Sequence, residues 1–176
     1  MAENHDIITN YPSQFLIDHV GMLPRGRVLD IAMGSGRNSV YLAERGFWVE
    51  GVDISEESIK QAEKLAAEHK VSIQTQLADL EKDYHISPDA YDVIICFNYL
   101  QRSLMPQIKA GLKYGGLIVY ETFIVDQTEF GKPRNPDYLL QHNELLHLFS
   151  DFRCLYYREG IIDNRKAVAS LIARKI

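Results

Sequence analysis

The sequence predicts an α/β fold, a mainly parallel sheet with helices on both faces. Three observations predict it: short apolar runs alternate with amphipathic stretches, most gaps between runs leave room for a crossover, and the last two runs stand too close for one. The parallel strands are VLDIA (28 to 32), WVEGVD (48 to 53), VSIQTQL (71 to 77), YDVIICF (91 to 97) and GLIVYETF (116 to 123). VIICF is apolar throughout and reads as a central strand covered on both faces; VSIQTQL alternates with polar residues and reads as an edge. CLYYREG and AVASLIA (167 to 173) are separated only by IIDNRK and predict an antiparallel hairpin.

The helices follow from caps and stripes. Pro12 to Leu23 places Phe15, Leu16, His19 and Val20 to pack on the sheet edge. Ser55 reads as an N-cap, Glu56 and Glu57 suit the first turn, and Ile59, Ala62, Leu65 and Ala66 form the stripe. Met105, Ile108 and Leu112 repeat at helical spacing after Pro106, with Gly115 and Gly116 expected to end that helix. Asn143 and Glu144 open a short helix through Phe149.

At 176 residues the chain matches one domain, 1–176, with an N-terminal helical segment (1–26) covering the site and a core at 27–176. Apolar runs are too short to span a bilayer and the N-terminus lacks a signal-peptide layout, so a soluble, cytoplasmic protein is expected. With 24 acidic against 19 basic residues, the net charge of −5 disfavours bulk nucleic-acid binding. Cys96 and Cys154 are too few and too far apart for a disulfide framework, and His142 and His147 face different sides of a helix, so no metal site is expected. The partner is read as a small molecule, and the assembly as a monomer or homodimer.

In an open parallel sheet, ligands bind beyond the carboxyl ends of the strands, which directs attention to Ala32-Met33-Gly34-Ser35-Gly36-Arg37-Asn38. Gly34 and Gly36 permit a sharp turn and close ligand approach, although a tight turn with no ligand would also use them. Asp53 ends the next strand, where a carboxylate can accept from both ribose hydroxyls. No register supplies GxGxxG, and no GK[ST] follows, which argues against NAD, FAD and a P-loop and for another adenosine-containing ligand.

VLDIAMGSGRNSVYLAERGFWVEGVDIS resembles the first two motifs of class I S-adenosylmethionine-dependent methyltransferases. QLADLE (76 to 81) resembles their adenine-contact segment, YDVIICFNYL their fourth strand with its active-site end, and LKYGGLIVYETF their fifth. The GRN after the glycines, YETF and GKPRNP are most similar to small bacterial and archaeal enzymes of the tellurite-resistance type, over Arg27 to Arg174. Ala32 stands where the family has its first glycine, and Tyr114 replaces the usual proline. The resemblance implies a Rossmann-like three-layer α/β/α sandwich, a seven-stranded mostly parallel sheet of order 3-2-1-4-5-7-6 with an antiparallel C-terminal hairpin. It implies S-adenosylmethionine as cofactor and S-adenosylhomocysteine as product. Asp30, Ala32 and Gly34 would face the methionine half, Gly36 and Asn38 would line the turn, and Asp53 would hold the ribose. Asp79 would accept from the adenine amino group between Leu80 and Ile54, and Phe97 would complete the cofactor set. Asp79 equally suits capping a turn before Glu81, and Asn38 capping a helix.

Methyl transfer from a sulfonium needs alignment and exclusion of water more than acid or base chemistry. Candidates come from the ends of the fourth and fifth strands. Tyr99, Phe123 or Tyr11 could set an aromatic face beside the sulfonium, and Glu121 could orient an acceptor or act as base. Arg134, with Lys132 and Asn135, lies in a loop from Asp126 to Leu140 that reads as a lid for an anionic acceptor or as an ordinary solvated loop. The leading reading is a methyltransferase that moves a methyl group to a small-molecule or small-anion acceptor; competing readings are a protein or tRNA methyltransferase, which FNYL in place of an NPPY-type tetrapeptide weakens, and a non-catalytic S-adenosylmethionine-binding module.

Overall fold

In the computed structural model, which describes residues 11–82 and 84–176, seven strands form one sheet. They are β1 (Arg27–Ile31), β2 (Trp48–Asp53), β3 (Gln74–Leu77), β4 (Tyr91–Phe97), β5 (Leu112–Phe123), β6 (Arg153–Ile162) and β7 (Lys166–Arg174). Their order is β3-β2-β1-β4-β5-β7-β6, parallel from β3 to β5 and antiparallel for β7 against both β5 and β6. Fold class, strand order and hairpin are those expected. The hairpin is tighter than the six-residue gap suggested, because both strands extend inward. Asp163 and Asn164 adopt φ of 53° and 51°, and Arg165 N–H donates to the Ile162 carbonyl at 3.0 Å. Two successive left-handed residues are the geometry of a type I′ turn, which matches the twist of the flanking strands.

Among the described residues five α-helices flank the sheet: α1 (Gln14–His19), α2 (Arg37–Ala43), α3 (Glu56–Glu68), α4 (Met105–Gly111) and α5 (Glu144–Leu148). Ser55 caps α3 as expected, its hydroxyl accepting from Ser58 N–H at 3.2 Å. On one face, α4 and α5 cover Ile94, Cys96, Tyr120 and Leu171; on the other, Phe15 and Leu16 of α1 and Leu42 of α2 pack with Val93, Ile95 and Ile172. Phe15 also lies 5.5 Å, centroid to centroid, from Tyr156, placing α1 on the β6 side of the sheet.

Several boundaries differ from expectation, each for a local reason. The N-terminal helix stops at His19 and continues as a 3-10 turn, Val20–Met22, around the poor helix former Gly21. Residues 1–10 of the expected covering segment lie outside the described residues. β1 ends at Ile31 because Ala32 turns to φ 53°. β3 starts at Gln74, since Val71 N–H closes the end of α3 on the Ala66 carbonyl. α4 ends at Gly111, not at Gly115 and Gly116. A Cβ on Gly111 would lie 2.4 Å from Ile86 Cγ2, so the chain there packs too closely for a side chain, and β5 begins at once. Gly115 and Gly116 fall instead within the register shift where β5 passes β4 between Tyr91 and Val93.

Candidate functional site

The order reverses between β1 and β4, and the site is built at their carboxyl ends. Asp53, ending β2, holds the glycine loop in place: one carboxylate oxygen accepts from Gly34 N–H at 2.8 Å and the other from Ser55 N–H at 2.9 Å. A carboxylate has about four lone-pair positions, so each oxygen keeps one for a ligand hydroxyl. Gly34 has φ +56°, and a Cβ there would meet nothing within 4 Å; its bare backbone faces open space. Gly36 differs. At φ +78° its Cβ would lie 2.6 Å from Ala62 Cβ, so this glycine lets the loop press against α3. Ala32 performs the same left-handed turn with a side chain, at φ +53°.

Beneath the loop, Asp30 is 2% exposed and accepts from the Ser39 hydroxyl at 2.6 Å. Burial pushes its carboxyl up to about 7, opposed by the Ser39 bond and the Arg37 charge. Asn38 is buried, and its Oδ1 accepts from Ser13 N–H at 2.8 Å, so this residue ties the start of α1 to the start of α2. Phe97 is also buried, packed into the core on the α1 and α2 face. The Tyr11 ring is exposed, and its carbonyl accepts from Arg37 Nη1 at 3.3 Å.

Two cavities meet at Tyr99. The first, of about 350 Å³, is bounded by Ala32, Asp53, Ile54, Asp79, Leu80 and Tyr99, with Glu81 and Lys82 at its rim. It gathers six of the residues singled out from the sequence. Asp79 also caps its own turn, accepting from Glu81 N–H at 2.9 Å and pairing with Lys82 Nζ at 3.1 Å; the Glu81 N–H foremost holds its carboxyl below the usual range. The second cavity, of about 650 Å³, lies between the end of β4 and the loop after β5. Tyr99, Leu100, Phe123, Pro133 and Tyr138 give it apolar walls, and Asn98, Lys132, Arg134 and Asn135 supply the polar groups.

The common wall is held firmly. Tyr120, fully buried, donates its hydroxyl to the Tyr99 carbonyl at 2.8 Å, and Asn98 N–H donates to the Glu121 carbonyl at 2.9 Å. Burial, reinforced by the charges of Glu81 and Asp79, pushes the Tyr99 hydroxyl up to about 12, so Tyr99 stays protonated at neutral pH. The loop is fastened at its base by Arg102, which donates to the carbonyls of Asp137 at 3.0 Å and Leu139 at 2.9 Å while pairing with Glu144 at 2.6 Å. Pro136 opens a 3-10 turn, Pro136–Tyr138, in which Asn135 Oδ1 accepts from Asp137 N–H at 3.0 Å.

Glu121 is not brought to this site. At 3% exposure it faces β7, accepting from Ser170 Oγ at 2.7 Å and Lys166 Nζ at 3.1 Å, and it borders neither cavity. Tyr138, Leu100 and Arg102 were not singled out from the sequence. The Asn-Pro-Asp turn was a usable signal for Tyr138, because it folds the chain back; Arg102 gave none, since its partners lie 35 to 42 residues away.

The first cavity fits a nucleoside. It offers a carboxylate with free acceptor positions for a diol and apolar Ile54 and Leu80 to flank a ring, and the Asp53 carboxylate at its wall holds the Gly34 backbone. Among its described lining residues the one cation, Lys82, is paired with Asp79. Fold and site thus define a Rossmann-like nucleoside-binding domain with a second, apolar cavity at the strand-order reversal.

The chain belongs to the methyltransferase domain family, which matches residues 28–116. The ubiquinone biosynthesis O-methyltransferase of Idiomarina loihiensis is 35% identical over 113 residues, covering 61% of this chain and 46% of that protein. TehB of Haemophilus influenzae is 26% identical over 178 aligned positions, 91% of this chain and 61% of TehB. The TehB crystal structure superposes with a TM-score of 0.78 at 23% identity, covering 94% of this chain and 63% of that one. An S-adenosylmethionine-dependent methyltransferase from Mesorhizobium loti superposes with a TM-score of 0.72 at 21% identity, covering 90% and 96%. These structures share the class I fold. The chain spans about half the length of the curated relatives it matches.

Proposed function

We propose that this chain transfers a methyl group from S-adenosylmethionine to a small-molecule acceptor. The observation that carries the reading is the meeting of a nucleoside-sized cavity and an apolar cavity at one side chain, Tyr99. Asp53 would hold the ribose, Ile54 and Leu80 would flank the adenine, and Gly34 would admit the ligand without steric conflict. Asp30, buried under the loop and bonded to Ser39, would support the segment that faces the methionine half.

S-adenosylmethionine supplies a methyl group on a sulfonium whose departure leaves a neutral thioether. The protein's own part is alignment and exclusion of water. Tyr99 presents an aromatic face at the junction, favourable to a cation, and its hydroxyl stays protonated. Asn98, Leu100 and Phe123 close the acceptor side. A cavity of about 650 Å³ lies in the range of small-molecule sites, which favours such an acceptor over a protein or tRNA.

Calorimetry and thermal shift test the cofactor. S-adenosylhomocysteine should bind and raise the Tm, whereas NAD and ATP should not; a shift with NAD alone removes the reading. Conversion of bound S-adenosylmethionine to S-adenosylhomocysteine in a mixed metabolite extract separates an enzyme from a non-catalytic binding module.

A further inference from the structure

The second cavity carries more information than its size. Its apolar area comes from Tyr99, Leu100, Phe123, Pro133 and Tyr138, and its charge from Lys132 and Arg134 on one rim. Both cations are exposed, and among the described residues neither side chain has an ion-pair partner. Nearby cations are instead engaged: Arg102 with Glu144, and Lys166 with Glu121. Among the described lining residues there is no carboxylate and no imidazole, so an anion would meet no like charge there.

We propose that the acceptor bound here is an amphipathic organic anion, an acid with a flat or branched apolar body; this deepens the methyl-transfer reading and rests on it. The apolar body would lie between Phe123, Leu100 and Tyr138, and the acid would face Lys132 and Arg134. A compact inorganic oxyanion satisfies only the rim. It would leave most of a cavity of about 650 Å³ filled with water and the apolar surface of Leu100, Phe123 and Pro133 unused. A neutral apolar molecule satisfies only the walls. The two exposed cations add both attraction and orientation, with Arg134 able to bind a carboxylate through two parallel bonds.

The test uses the full chain saturated with S-adenosylhomocysteine and three probes: 2-naphthoate, its neutral counterpart 2-naphthalenemethanol, and selenite. Calorimetry should show 2-naphthoate binding at least tenfold more tightly than the alcohol, with selenite failing to displace it. Joint Lys132→Ala and Arg134→Ala replacement, on an exposed loop, should leave S-adenosylhomocysteine affinity unchanged and abolish the tenfold preference. Equal binding of acid and alcohol, displacement by selenite at comparable concentration, or a preference that survives the double replacement would overturn the proposal while leaving the cofactor reading intact. Failure of S-adenosylhomocysteine to bind would remove both.

Discussion

The two cavities sit side by side yet are made differently. On the β1 to β3 side, positions are set by the backbone: Asp53 grips two N–H groups, Ala32 and Gly34 hold left-handed turns, and Gly36 presses on Ala62. On the β4 and β5 side, the walls are set by backbone contacts at Tyr99, but the charged rim consists of exposed loop side chains, Lys132 and Arg134, without ion-pair partners among the described residues. A pocket fixed by strand ends suits a ligand of constant shape. A rim carried on a loop lets the choice of the second ligand rest on a few side chains, with the scaffold unchanged.

The largest expected effect lies under the rigid half. Asp30 has its carboxyl raised to about 7 from 3.8, so between these values the folded state holds a proton that the unfolded state has lost. Stability from this group is therefore greatest below pH 4 and falls as pH rises through 7, by about 2 to 3 kcal/mol between pH 5 and 8. Urea unfolding at both pH values should show this fall, and Asp30→Asn should flatten it; a variant as pH-sensitive as the parent contradicts the burial account. Asp53→Ala comes next. It should weaken S-adenosylhomocysteine binding by about 1.5 to 3 kcal/mol in a folded protein. Unchanged calorimetric affinity would take Asp53 out of the site and erase the contrast between the halves.

On the other side, Arg102→Ala frees the base of the loop. The expected loss is about 1 kcal/mol of stability, with faster proteolysis between Asp126 and Leu140 and no change in S-adenosylhomocysteine affinity. If cofactor affinity falls as well, the two halves are not separable. The smallest effect is a gain: Ala32→Gly relieves a left-handed alanine and should raise stability by about 0.5 to 1 kcal/mol, less the entropy a glycine adds to the unfolded chain. A lowered urea midpoint would show that the Ala32 side chain contributes packing that outweighs its backbone strain.

Sequence patterning made the architecture legible because each strand's burial is written in its own residues: VIICF is apolar on both faces, and the β3 segment alternates and lies at the edge. The lining of the first cavity was legible for a similar reason, since Ala32 and Asp53 sit at strand ends whose position the pattern fixes. Other roles depended on distant partners. Nothing near Asn38 announces Ser13, nothing near Gly36 announces Ala62, and Glu121 was read as facing the site although strand register turns it toward Ser170. The helix end at Gly111 was missed because Gly115-Gly116 carries the stronger local signal, whereas the contact with Ile86 decides the outcome.

The strand order also bears on how the chain assembles. β1, β2 and β3 pair with one another within residues 27–77, and β4 to β7 within 91–174; a single seam, Val28 to Ile31 against Val93 to Cys96, joins the two sets. A polypeptide severed at the exposed Pro88 and Asp89 would lose none of its strand pairings within either piece. Such fragments are suited to complementation, each carrying half of the sheet and meeting its counterpart along one parallel ladder. Ala32 and Tyr99 both lie just past the carboxyl end of that ladder, one on each strand, so the first cavity exists only once the seam has closed, and its ligand would act as the clasp between the pieces.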